Sequence, residues 1–399
     1  MALSRRTLLL LATSLAVCLL AVLGVWSYDV IVRSTAAALD RAESFAFRRM
    51  RAAQRGDEGA YRFLYVTNRR PGTDDGSLDE RFGNEREDAI KLGYFDTVIE
   101  PTLGPGMIVN PTEWFQNREI QLVAVNPLAR PAFVEAVRGF VRASPYRSLL
   151  VVVHGYRETF PTALRRAAFL GYILDIDTPV LLFDWPGDQG PRLRGYRRAR
   201  QVAEASGAEL AHTLELVIRE IRPERLWLLA NSMGGEVVAS AFSLLLRQAD
   251  FADAAVEFED VVLTAPDVGQ DDFDRQFKRE VTALTRRLTV YVSSNDRALL
   301  LSRLVNRQRR LGESTLSPDL LDEAVQLSEI MEPGDDRVTL VDVTPVNRTR
   351  NFHDFSLETP EFFDDLYLRI TGTELPRSRL LYRTRAPDGT PYWVLTRGR

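Results

Sequence analysis

Leu226-Trp227-Leu228-Leu229-Ala230-Asn231-Ser232-Met233-Gly234-Gly235 takes the chain from an apolar run, through a tight turn centred on a serine, into a helical pattern from Glu236 to Arg247. A turn of this kind forces the serine into strained geometry. The residues two before and two after it must be small, because a larger side chain would collide with the passing strand or helix. Ala230 and Gly234 fill those places. Alanine at the first is a mild departure from G-x-S-x-G that keeps the steric logic. The bare motif says little, but in a strand-turn-helix setting it marks Ser232 as a nucleophile rather than the cap of an ordinary helix.

Working outward, short β-rich runs recur at Phe63–Thr67, Asp96–Glu100, Ile120–Val125, Leu149–Val153, Val180–Phe183, Leu226–Leu229, Val261–Thr264, Leu288–Val292 and Val338–Val343. Helical periodicity fills Ala132–Ala143, Thr162–Ile173, Arg197–Ile221, Gly235–Gln248, Asp272–Arg286 and Arg297–Val305 between the later ones. Repeated strand-helix-strand units predict an α/β fold: a mostly parallel central sheet, helices on both faces, and function at the carboxyl ends of the strands. Leu380–Thr384 and Tyr392–Leu395 around Pro387-Asp388-Gly389 read as a hairpin in a tail over 373–399, outside a domain spanning 60–372.

A serine hydroxyl needs a base, and on such a sheet the acid and the histidine follow the nucleophile in the chain. Of three histidines only His353 lies beyond Ser232, in a loop ahead of the helical pattern Pro360–Ile370. His212 falls mid-helix and reads as helix surface or packing. The acid is Asp296, after the strand Leu288–Val292, with Asp267, one strand earlier, as the alternative. Asp354 is a poor orienting partner, since its side chain would point away from the neighbouring imidazole.

Val151-Val152-Val153-His154-Gly155-Tyr156 is a buried strand ending in His-Gly. Two backbone N–H groups are needed for the oxyanion of acyl transfer. Met233 supplies one and Tyr156 the other, with Gly155 allowing close approach. His154 reads as a structural or turn residue, with a direct role on substrate as the rival reading. Trp185, after Val180–Phe183, is expected to wall the cleft, with plain packing as the rival reading. Arg192, Arg194, Arg197, Arg198 and Arg200 read as a solvated helix face, with contact to anionic headgroups or an acidic substrate as the sharper alternative.

Composition bounds the rest. In 399 residues, 45% are hydrophobic and the formal net charge is −4, so the chain is globular with no one-signed field to draw nucleic acid. No metal-spaced Cys/His cluster occurs, and neither a metal nor another cofactor is called for. Arg5 and Arg6 precede a 19-residue run without charge, Leu8–Trp26, followed by Tyr28. That length spans a bilayer and exceeds a signal-peptide core, so 1–28 is expected to be an uncleaved anchor. The paired arginines keep the N-terminus cytoplasmic, placing the rest on the periplasmic or extracytoplasmic side of an inner membrane. A cleaved signal ending near Ala36-Ala37-Ala38, including a twin-arginine one, is the main rival, and lipidation at Cys18 a weaker one. Residues 29–59 read as a stalk, and Arg303–Asp336 as a crossover helix or a lid.

Taken in order, Val151–Tyr156, Trp185-Pro186, Leu229–Gly234, Ala265-Pro266-Asp267, Tyr291–Leu299 and His353 resemble uncharacterised bacterial esterase/lipase-like α/β-hydrolases, the domain-of-unknown-function family numbered nine hundred. Leu64–Arg69 is similar to its first strand. The resemblance covers roughly residues 60 to 370 and implies an α/β-hydrolase fold with a triad on Ser232, Asp296 and His353. The family usually carries histidine where Asn231 stands and a small or hydroxyl residue in place of Asp354. Neither change removes a triad atom, but both alter the cleft. The expected activity is hydrolysis of a small-molecule or lipid carboxylic ester, with a peptidase, an acyltransferase or an inactive envelope scaffold as alternatives.

Overall fold

A computed structural model describes residues 60–72, 78–99, 120–174, 176–190, 192–248, 251, 257–269, 277–293, 338–347, 355–371, 381–385 and 391–396. Leu8–Trp26, the stalk, Asp296, the helix expected at Arg297–Val305, the segment Arg303–Asp336 and His353 lie outside them. No helix among the described residues is long and apolar enough to cross a membrane.

The strands are β1 Ala60–Pro71, β2 Phe82–Ile99, β3 Ile120–Leu128, β4 Ser148–Val153, β5 Val180–Asp184, β6 Arg225–Asn231, β7 Asp260–Thr264, β8 Leu288–Val292, β9 Val338–Asp342, β10 Leu381–Arg385 and β11 Pro391–Leu395. They form one sheet in the order β10-β11-β9-β8-β7-β6-β4-β5-β1-β2-β3. Pairing is parallel from β1 through β5, β4, β6, β7 and β8 to β9, and antiparallel in β1–β2–β3 at one end and β10–β11 at the other. The C-terminal hairpin is not a separate tail, because β11 pairs parallel with β9 and extends the same sheet.

The helices are α1 Arg130–Ala143, α2 Phe160–Leu174, α3 Arg192–Leu216, α4 Gly234–Leu246, α5 Lys278–Leu284, α6 Phe355–Glu358 and α7 Pro360–Ile370. A π-helical turn, Val217–Ile221, continues α3 until Arg222 takes a left-handed conformation and stops it. Alternation along the central strands feeds two cores. Leu149, Val151 and Val153 of β4 pack under α1, α3 and α4, while Leu150 and Val152 face α2 and α7. α2 is apolar nearly all round because the sheet covers one side and α7 the other, where Phe169 and Phe363 meet edge to face at 6.0 Å.

β2 is far longer than the short strand expected at its end. Its first half, Phe82–Ala89, pairs only in part with β1 and is largely exposed, so it carries no apolar alternation to read. The carboxyl ends of β4, β5, β6, β7 and β8 converge on one edge, and the site is built there.

Candidate active site

β6 ends at Asn231, and Ser232 has φ of 51°, in the left-handed region that L side chains disfavour. Three backbone hydrogen bonds hold it. Its N–H donates to the Thr264 carbonyl (2.9 Å), and its carbonyl accepts from the N–H groups of Gly235 (3.0 Å) and Asp267 (3.1 Å). The small neighbours are explained by distance. A Cβ on Gly234 would stand 2.6 Å from the His154 carbonyl oxygen and 2.8 Å from that of Val153. Ala230, fully buried, lies in register with Val153 of β4.

Gly155 meets the serine from the other side: a Cβ there would be 3.2 Å from both the Asn231 carbonyl oxygen and Ser232 Cβ. Tyr156 follows at once. Among the described residues, the backbone N–H groups of Met233 and Tyr156 donate to no carbonyl or side chain, while their neighbours Arg157 and Gly235 do.

His154 is committed elsewhere. Its Nδ1 donates to the Gly155 carbonyl (2.9 Å), since a carbonyl can only accept, and its Nε2 faces Asp184 Oδ1 (3.0 Å) and the Trp185 N–H (3.1 Å). The Trp185 indole, without solvent exposure, stacks on His154 at 5.5 Å and donates to its carbonyl (2.8 Å). Trp185 is thus a support beneath the turn, and its ring presents no surface to a cleft. His212 is exposed on α3.

The rim is aromatic and polar. Tyr156 and Tyr196 meet edge to face at 5.8 Å, the Tyr156 hydroxyl donates to the Gly190 carbonyl (2.8 Å), and the Tyr196 hydroxyl donates to Asp267 Oδ2 (2.7 Å). Burial pushes the Tyr156 phenol up, with Asp188 acting the same way and Arg157 against them. Asp267 is buried beside Ser232. Asn231 Oδ1 accepts from Thr264 (2.9 Å) and from Ser356 of α6 (3.3 Å), which is three residues beyond His353. A cleft of about 770 Å³ opens between α3, α4 and α5, lined among others by Arg200, Glu236 and Arg247; Ser232 is not among its described lining residues.

Beneath all this lies a buried charged set that the sequence reading passes over. Asp184 accepts from Thr67 Oγ1 (2.6 Å) and Arg69 Nε (2.7 Å) besides facing His154. Burial alone would raise its carboxyl, but Arg69 and then His154 outweigh that and hold it below the usual carboxylate range. The available signal was charge inside otherwise apolar strands, at Thr67-Asn68-Arg69 and Phe183-Asp184-Trp185. Among the described residues no group of three His, Cys, Asp or Glu side chains is placed to hold a metal ion.

No curated protein matches the sequence. Two solved structures are similar to it at a distance. One, titled as the zinc-bound structure of a novel cold-adapted esterase from an Arctic intertidal metagenomic library, is 10% identical, covers 79% of this chain and 96% of its own, and has a TM-score of 0.32. The other, a Pyrobaculum calidifontis esterase, is 13% identical over 61% and 79%, with a TM-score of 0.24. Superpositions this loose say nothing of the chain's chemistry. The family model is another matter, since it spans residues 130–366, from α1 through the serine turn into α7, and the chain therefore belongs to the alpha/beta hydrolases of unknown function (DUF900).

Proposed function

We propose that the protein is a serine hydrolase of carboxylic esters. Ser232 Oγ attacks the carbonyl carbon, His353 takes its proton and returns it to the leaving alcohol as the ester C–O bond breaks, and Asp296 orients the imidazole. A water deprotonated by His353 then cleaves the acyl-serine, releasing the acid and restoring Ser232. The N–H groups of Met233 and Tyr156 hold the oxyanion. The chemistry asks for no metal or other cofactor. The observation that carries the reading is the left-handed Ser232 at the end of β6 with Gly155 against its Cβ, which brings the serine and the Tyr156 turn together. The Ser356–Asn231 bond supports His353 as the base, because three residues separate it from that contact. Asp296 is preferred as the acid because it follows β8, leaving room for one crossover between Ser232 and Asp296 and one between Asp296 and His353.

A fluorophosphonate probe is expected to label the wild type and not Ser232→Ala. A folded wild type that stays unlabelled would mean a scaffold rather than an enzyme. On p-nitrophenyl esters, Asp296→Asn is expected to lower kcat by about 10⁴-fold and Asp267→Asn by far less; the reverse order would move the acid to Asp267. The chain-length profile across those esters reads the substrate preference. Leu8–Trp26 is proposed as the anchor that holds the hydrolase on the outer side of an inner membrane. The full chain should then resist carbonate extraction and be open to protease added to spheroplasts.

A further inference from the structure

Arg69 lies at the end of β1, on the strand that borders β5, and is buried together with Thr67, Asp184, His154 and Trp185. Thr67 and Arg69 are two residues apart, so both project from the same face of the strand, and both reach Asp184 Oδ2. A guanidinium has five N–H donors in a fixed fork, and every one of them has an acceptor here. Nε donates to Asp184 (2.7 Å). Nη1 donates to the Gly83 carbonyl (3.3 Å) and Asn84 Oδ1 (2.6 Å), and Nη2 to the carbonyls of Glu158 (2.8 Å) and Trp185 (2.7 Å).

Glu158 lies on the Tyr156 loop itself, between β4 and α2, and Trp185 on the neighbouring loop after β5, so one side chain ties the two loops together. A second path starts from the same group. Arg69 holds Asp184, Asp184 faces His154 Nε2, and His154 Nδ1 donates to the carbonyl of Gly155, the peptide unit that carries the Tyr156 N–H. The loops are also stitched directly by the Arg157 N–H on the Gly187 carbonyl (3.0 Å), with Gly187 so close that a Cβ would meet the Gly155 oxygen at 2.8 Å.

We infer that Arg69 is a positioning residue of the oxyanion site, aiming the Tyr156 N–H through Glu158 on one side and through Asp184, His154 and Gly155 on the other. The inference rests on the reading of Tyr156 as an oxyanion donor. Lysine at this position would keep the charge and lose the fork, since an ammonium has three donors on a point centre.

The test compares Arg69→Lys with Arg62→Lys, seven residues earlier on β1 in an ion pair with Asp96 at the opposite end of the strand. Sites are counted by fluorophosphonate titration. kcat and KM are measured with p-nitrophenyl acetate, and Kd with phenylboronic acid, whose tetrahedral serine adduct needs the oxyanion donors. Arg69→Lys is expected to lower kcat per titrated site about 10²-fold with KM little changed, and to weaken the boronate by a similar factor. Arg62→Lys should leave all three near wild type. If Arg69→Lys does not fold, Thr67→Val keeps every charge and removes one bond to Asp184; it should lower kcat and boronate affinity together by several-fold. Loss of thermal stability with kcat per site and boronate affinity intact would make Arg69 structural only and overturn the inference. A folded wild type that takes no probe would instead overturn the serine-hydrolase reading, and this inference with it.

Discussion

Ser232 sits where a glycine would be more comfortable. Holding a non-glycine residue in the left-handed region costs about 1–3 kcal/mol, here retained because the turn lifts Oγ to the end of the sheet. Ser232→Gly is therefore expected to be inactive yet about 1 kcal/mol more stable than Ser232→Ala, as read from urea midpoints. Gly234→Ala should act the other way. Its methyl would press on two backbone oxygens at 2.6 and 2.8 Å, which cannot rotate aside, so about 1–3 kcal/mol of stability and most of the activity should go together. Asp184 carries a pH signature. Its native carboxyl is held below the unfolded value of about 3.9, so its stabilising contribution is complete above that value and is lost as pH falls through the native one. Urea midpoints taken from about pH 6 down to about pH 2 should fall less steeply for Asp184→Asn than for wild type. At this scale the serine turn and its small neighbours were readable, since steric demands are local. The commitment of His154 to Asp184 was not, because those residues come from different strands.

Among the elements, α7 shows how a helix with a plain amphipathic pattern acquires a fixed place. Phe362, Phe363 and Leu366 bury its apolar stripe, but two polar residues one turn apart also enter the core. Arg369 pairs with Asp260 of β7 at 2.8 Å, and Asp365 takes the Tyr291 hydroxyl from β8. Burial works against the Arg369 charge, yet Asp260 and its other neighbours hold its pKa above the usual guanidinium value. Breaking such a pair leaves the buried Asp260 carboxylate with Thr289 Oγ1 at 3.2 Å and only a longer pairing to Arg287 at 3.6 Å. Arg369→Met should cost about 3–5 kcal/mol in urea unfolding, and adding Asp260→Leu should restore much of it. Pro360–Ile370 was legible as a helix from its periodicity. Its charged grip on the sheet was not, because Asp365 and Arg369 look like an ordinary exposed pair one turn apart until β7 and β8 are laid beneath them.

For the whole molecule, the sheet does not stop at β9. The β10–β11 hairpin buries Leu381 and Leu395 and covers the β9 edge, which would otherwise offer unpaired backbone groups to other chains. Ending the chain before Leu381 is expected to lower the melting temperature and promote aggregation, seen by light scattering during size exclusion. The sequence by itself determined the strand-helix alternation, the serine turn and, through the scarcity of histidine, the base to propose. These rest on periodicity and on sterics within a few residues. Only the tertiary structure decided that the C-terminal hairpin joins the main sheet, that Trp185 lies under the Gly155-Tyr156 turn, and that Arg69 spends five donors on residues up to 116 positions away. Pairings of that range depend on strand order and register, and strand order is set by how the helices cover the sheet rather than by any local stretch of chain.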